Sequence, residues 1–315
     1  MTHTLRASRH PTRDPRTALT SDEASLGLAR SVVETSLGGV VVRAGARAGD
    51  TATIFVHGAA GSWTTWTPLL RAAREAGEPV PNVVAVDLPG WGESDIVTDG
   101  LDVAQLSLAV REVAEALGYR RWIVVGHSLG GLLALDIAAR TPDATDAVLL
   151  ISPSGPAVID AVRRPLRGGA ALPWFAGMLL AMRMLSGLRA VGEATVPALK
   201  RIGLLRALSA PLFASPRSVH DTVIDAVAAE IRPRAFVDAA RAAARYDETI
   251  WRAITCPVVA LRGEQDVFVR DSDEDVLREL VQDITYRRIG SAGHFAAVER
   301  PELVWEALRS LSRAQ

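Results

Sequence analysis

Three residues lying far apart in the chain could together perform nucleophilic catalysis: Ser128, Asp266 and His294. Ser128 stands in V-V-G-H-S-L-G-G-L, residues 124–132, where an apolar run passes into a helical one through G-x-S-x-G. A serine held at such a strand-to-helix turn exposes its hydroxyl, and the first amides of the following helix point at any negative charge that develops there. Gly126 and Gly130 leave room for a turn that larger side chains would obstruct. The hydroxyl is a weak nucleophile at neutral pH and needs a base, usually a histidine that a carboxylate orients. Of the six histidines, only His294, in G-S-A-G-H-F-A-A-V-E-R-P, lies in a glycine-bounded loop directly after a strand-like run, I-T-Y-R-R-I. Asp266, in V-V-A-L-R-G-E-Q-D, follows the strand-like run before it.

Such a constellation needs a rigid frame. The short apolar runs Ala52–Val56, Val83–Val86, Trp122–Val125, Ala147–Ile151 and Val258–Leu261 suit strands buried on both faces. Val32–Val42 reads as a hairpin around Gly38 and Gly39. Helices are expected over Val103–Leu117, ended by Gly118, and over Leu132–Arg140, closed by Pro142. Strands alternating with helices predict an α/β fold, a mostly parallel, doubly wound sheet covered on both faces. The alternation stops after Pro153, and the sequence up to Tyr246 is helical, apolar and arginine-rich, with no buried strand. The expected organisation is therefore a flexible N-terminal arm (1–30), an α/β core (31–153 and 247–315) and an α-helical cap inserted between its halves (154–246).

Composition limits the function classes. With 49% apolar and 23% charged residues the chain reads as a globular protein, and a net charge of −1 gives no electrostatic reason to expect a nucleic-acid partner. One cysteine, Cys256, excludes an intramolecular disulfide and a multi-cysteine metal site, and it reads as a small buried hydrophobe. The basic N-terminus lacks the apolar stretch of a secretory signal. The longest charge-free apolar segment, Gly168–Met182, is too short to span a bilayer and contains Pro173. A cytoplasmic protein acting on a small molecule, without metal or cofactor, is the expectation.

Taken in order, the motifs H-G-A-A-G (57–61), D-L-P-G-W-G-E-S (87–94), G-H-S-L-G (126–130), G-E-Q-D (263–266) and G-H-F (293–295) resemble those of the α/β-hydrolase superfamily, in its serine-nucleophile, cap-containing form. The similarity covers roughly Val32 to Leu311, and the order Ser, Asp, His is that of the family's elbow enzymes. The resemblance implies Ser128 as nucleophile, His294 as general base and then acid, and Asp266 as the orienting carboxylate. It also implies an oxyanion hole made by the amides of Leu129 and Ala59. Glu264 and Asp271, which flank Asp266, read as surface carboxylates, and Ser152-Pro153-Ser154 offers no acid after the strand ending at Ile151. Asp87–Ser94 reads as a loop that shapes the pocket rim rather than a metal site.

Six residues are candidates for the substrate pocket. His57 would brace the loop beside the oxyanion hole, while His127 and Phe295 neighbour the serine and the base in sequence. Trp174, Phe175 and Met178 belong to a greasy lid over Ser128. The basic residues of the insertion, Arg163, Arg164, Arg167, Arg183 and Arg189 among them, read as a solvated cap surface, and His220 as a surface histidine. The function expected is hydrolysis of a small to medium, mainly apolar carboxylic ester through an acyl-enzyme intermediate. A serine in the elbow argues against the family's epoxide hydrolases and dehalogenases, which use a carboxylate nucleophile, and the insertion reaches only one tyrosine, Tyr246, where the epoxide enzymes need a pair. Two alternatives stand behind it: C–C hydrolysis of ring-fission products, whose enzymes often carry tryptophan where Phe295 stands, and a low-turnover ligand-binding homologue.

Overall fold

Each expected strand forms in the computed structural model, which describes residues 13–96, 102–188 and 190–313, but the hairpin turns at Ser36-Leu37, and Gly38 and Gly39, expected at its turn, pair with Thr35 and Glu34. The strands are β1 (Leu28–Thr35), β2 (Gly38–Gly45), β3 (Thr51–Val56), β4 (Val83–Val86), β5 (Arg121–His127), β6 (Thr145–Ile151), β7 (Val258–Gly263) and β8 (Ile284–Ile289). They make one sheet in the order β1-β2-β4-β3-β5-β6-β7-β8. β2 runs antiparallel to both β1 and β4, and the remaining pairs are parallel. The parallel strands read as continuous apolar runs because helices cover both faces.

The covering helices are α1 (Thr67–Glu75), α2 (Val103–Ala116) and α3 (Leu129–Arg140) before the insertion. The insertion itself carries α4 (Pro156–Arg163), α5 (Arg167–Ala171), α6 (Pro173–Gly187), α7 (Ala190–Arg201), α8 (Leu204–Leu208), α9 (Asp221–Glu230) and α10 (Pro233–Arg245). The chain then returns to the sheet and adds α11 (Asp271–Leu280), α12 (Ala296–Glu299) and α13 (Pro301–Arg313). No strand occurs between β6 and β7 among the described residues. One helix begins earlier than its apolar periodicity announces: α3 starts at Leu129, because Gly130 and Gly131, poor helix formers, are needed where the helix presses on the sheet. A Cβ on Gly130 would lie 2.0 Å from the carbonyl oxygen of Val56.

The expected arm differs from the structure. Residues 1–12 of it lie outside the described residues, as does Arg189 of the expected basic surface. From Arg13 onward the chain is tied down: Asp14 donates its amide to the Ser218 carbonyl at 2.7 Å, Leu19 donates to Thr222 Oγ1 at 2.8 Å, and β1 already begins at Leu28. Reading the prolines and charges as a frayed tail missed these long-range partners in the insertion. No described helix is long and apolar enough to cross a membrane. Cys256 is buried, and burial pushes its thiol up to about 11.

Strand order also locates the site. The chain steps from β3 outward to β4, then crosses back to β5 on the other side of β3. Ligands of open α/β sheets bind outside the carboxyl ends of the strands at such a reversal. Val56 of β3 pairs with Gly126 of β5, so His57-Gly58-Ala59 and His127-Ser128 emerge side by side.

Candidate active site

Ser128 caps α3 with φ 52° and ψ −116°, a left-handed conformation rarely taken by a residue with a side chain. Neighbouring strand ends hold it there. Its amide donates to the Ile151 carbonyl at 3.1 Å, and its carbonyl accepts from the Ser154 amide at 2.8 Å. A Cβ on Gly126 would stand 2.2 Å from the Gly130 carbonyl oxygen, so the turn closes only with glycine at that position. Leu129 follows as the first residue of α3, where the amide has no carbonyl of its own helix to bind.

The loops after β7 and β8 bring in the acid and the imidazole. His294 Nδ1 lies 3.1 Å from both Oδ1 and Oδ2 of Asp266. A carboxylate accepts only, so Nδ1 carries the proton of this hydrogen bond. Burial alone would raise the Asp266 carboxyl. The adjacent His294 and the hydrogen bonds from His294 and the Phe268 amide outweigh that and hold it below the usual carboxylate range. Phe268 meets the edge of the His294 ring at a centroid distance of 4.8 Å.

Ser128 and His294 line one narrow cavity of about 60 Å³, together with Ala59 and Leu129 from the core. Phe175, Met178, Phe236 and Ala240 of the insertion line it as well. Within this lining the hydroxyl of Ser128 lies 3.5 Å from that of Ser154. No hydrogen bond joins it directly to His294, a contact that substrate binding commonly tightens. Ala59 is fixed from behind: the indole of the buried Trp91 donates to its carbonyl at 2.9 Å. Such a site brings a hydroxyl, an imidazole paired with a carboxylate, and the residues Ala59 and Leu129 to the same apolar hollow.

Residues 53–307 match the model of the alpha/beta hydrolase family. The chain belongs to that family. Among solved structures it superimposes on the epoxide hydrolase CorEH with TM-score 0.72 at 21% identity, covering 91% of this chain and 100% of that one. It superimposes on an esterase of Thermogutta terrifontis with TM-score 0.67 at 21% identity, covering 91% and 98%. At these identities the likeness is one of fold. Among curated sequences it is 35% identical over 118 residues to the dihydrolipoyllysine-residue acetyltransferase component of the acetoin cleaving system of Cupriavidus necator, 37% of this chain and 30% of that one. It is 30% identical over 119 residues to epoxide hydrolase 4 of Mus musculus, 37% and 32%. The matches therefore span only about a third of these relatives' lengths.

Within this α/β hydrolase the expected pocket residues divide. Phe175 and Met178 line the cavity, whereas Trp174, on the same helix, is 56% exposed and turned outward. His57 lies beneath the lining: its Nδ1 donates to the Gly58 carbonyl at 2.7 Å and its Nε2 accepts from the Leu88 amide at 2.9 Å. Burial keeps that imidazole well below its ordinary pKa. His127 and Phe295 also stand behind the wall. His127 Nε2 donates to the His294 carbonyl at 2.9 Å, and Phe295 packs on His127 and on Phe213. His220 is not a free surface group but the N-cap of α9. Asp87 is committed to the amides of Trp63 and Glu93 and to Arg43, as befits a structural loop.

Sequence reasoning missed three residues of the site. Trp91 was hidden inside a loop motif, Ser154 was passed over because it is not a carboxylate, and Glu299 carries no signal beyond its place in H-F-A-A-V-E-R-P. Glu299 accepts from the Gly293 amide at 2.7 Å and from the amides of Ala214 and Ser215 at 2.8 and 3.1 Å. It joins the loop bearing His294 to the insertion.

Proposed function

We propose that this chain is a serine hydrolase of small to medium, mainly apolar carboxylic esters, working through an acyl-enzyme intermediate under a helical cap formed by residues 154–246. One observation carries the reading: Ser128, strained at φ 52°, shares a single apolar cavity with His294, whose Nδ1 is bound to Asp266 at 3.1 Å. In this scheme Ser128 Oγ attacks the ester carbonyl while His294 Nε2 takes its proton. Asp266 holds the imidazole in the Nδ1–H tautomer and stabilises the imidazolium. The carbonyl oxygen, now negative, lies between the amides of Leu129 and Ala59, each worth on the order of 3 kcal/mol in the transition state. His294 returns the proton to the leaving alcohol, and water repeats the attack on the acyl-enzyme.

The hollow of about 60 Å³, walled by Phe175, Met178 and Phe236, supports a short apolar acyl group. Epoxide hydrolysis by a carboxylate nucleophile has no acid at the elbow, and the hydroxyl of Tyr246 accepts from the Trp251 indole at 2.9 Å, away from the cavity lining. The test is a panel of chromogenic esters of increasing acyl length. Multiple turnover that favours short acyl chains and disappears in Ser128→Ala is expected, with the acyl group trapped on Ser128 by mass spectrometry. Full activity in Ser128→Ala would remove the proposal, and a single slow turnover would point to a binding protein.

A further inference from the structure

The outer face of the insertion is apolar where a solvated surface was expected. On α6, Phe175 and Leu179 face inward and are buried. Trp174, Leu180, Met184 and Leu188 fall along the opposite side and are 56%, 59%, 64% and 56% exposed. At 3.6 residues per turn they form a stripe roughly a third of the helix circumference wide, with Arg183 at its margin. Nine of the eleven exposed large apolar side chains among the described residues lie between Leu166 and Leu208. A helix apolar on every side is at home only where both faces are covered, and here the body of the protein covers one.

Charge is segregated in the same place. Residues 161–210 contain eight lysines and arginines against one acidic residue, Glu193, although the whole chain carries −1. Arg167, Arg183 and Arg201 are exposed and form no ion pair with described residues. The remainder of the molecule carries a net charge of −8, −1 for the whole less +7 here, so this segment is where the chain concentrates positive charge.

We infer that the outer face of α6, with its flanking arginines, docks on an anionic lipid bilayer. The helix lies in the plane of the interface, Trp174, Leu180, Met184 and Leu188 enter the boundary between headgroups and acyl chains, and the arginines meet the lipid charges. A stripe of leucine, methionine and tryptophan edged by arginine is what such interfaces select. A second copy of the chain fits less well, because a two-fold contact would set the basic face against itself. This association is independent of the chemistry proposed at Ser128.

The experiment is flotation of the full-length protein, carrying Ser128→Ala, with phosphatidylcholine vesicles made with and without phosphatidylglycerol. Binding to the anionic vesicles, weakening as salt rises, is expected. Arg183→Gln and Arg201→Gln should each weaken it about fivefold, and the double variant Trp174→Ser, Met184→Ser at least tenfold at unchanged melting temperature. Vesicles ignored at low salt, or bound equally by wild type and variants, would overturn the inference. A dimer in sedimentation equilibrium that the double variant disperses, without lipid binding, would overturn it in favour of a second copy.

Discussion

His127 Nε2 donates to the carbonyl oxygen of His294 at 2.9 Å, so the residue preceding the elbow serine holds the backbone of the proposed base. The ring makes no other hydrogen bond, since its Nδ1 is buried without a partner. His127→Phe keeps the aromatic contact with Phe295 but removes the donor, leaving the His294 carbonyl unpaired at a cost of about 1–3 kcal/mol. Ester turnover should fall tenfold or more through kcat with KM little changed. His127→Gln, whose amide nitrogen reaches the same place, should recover most of it, and equal losses in both variants would show that the hydrogen bond does not position the base.

Asp266→Asn should lower kcat on the order of a thousandfold or more, because an amide at Nδ1 no longer fixes the tautomer. Glu264→Gln and Asp271→Asn should leave it within about twofold. Glu264 is exposed, and Asp271, 72% exposed, pairs with Arg262 and Arg288. Rates compared at matched melting temperature decide whether the acid is specific.

Glu299 offers a separate check. Its carboxylate serves the amides of Gly293, Ala214 and Ser215, and Glu299→Ala strands the donor of the buried Gly293 and that of the half-buried Ala214, while Ser215 is exposed to water. A stability loss of about 2 kcal/mol follows from the penalty for leaving such groups unpaired. Glu299→Gln should restore only part of it, since the amide nitrogen cannot accept from a peptide N–H. Urea denaturation of the three proteins measures this directly.

How far the sequence could be read depended on the range of the interactions concerned. Ser128, Asp266 and His294 were legible because each sits in a glycine-marked loop at a strand end, and the strands announce themselves as short apolar runs. Phe175 and Trp174 were not separable by type, since both are large aromatics of one helix. Only the packing of α6 on Phe236 and Phe268 decides that the first looks inward and the second outward. His127 and Phe295 adjoin functional positions in sequence, yet they stand behind the wall. The span from Arg13 to Gly27 looked like a tail because its partners, Ser218 and Thr222, lie some two hundred residues away.

Acid should weaken the fold through the same histidine. Burial, and then the neighbouring His294, push the His127 imidazole down to about 3, against roughly 6.5 in an unfolded chain. Above pH 6.5 the ring is neutral in both states and contributes nothing to the pH dependence. Below that value the unfolded chain takes up a proton that the folded protein refuses, so stability declines as pH falls, until the folded group titrates near 3. Between pH 7 and pH 5 this one residue costs about 2 kcal/mol. His57, also held down by burial, adds to the loss in the same direction. His127→Gln retains the donor to the His294 carbonyl and cannot titrate. Its unfolding free energy, measured in urea at the two pH values, should therefore drop by about 2 kcal/mol less than that of the wild type. Identical drops would mean that His127 accepts its proton inside the folded protein, and burial beside His294 could not then be what holds the ring neutral.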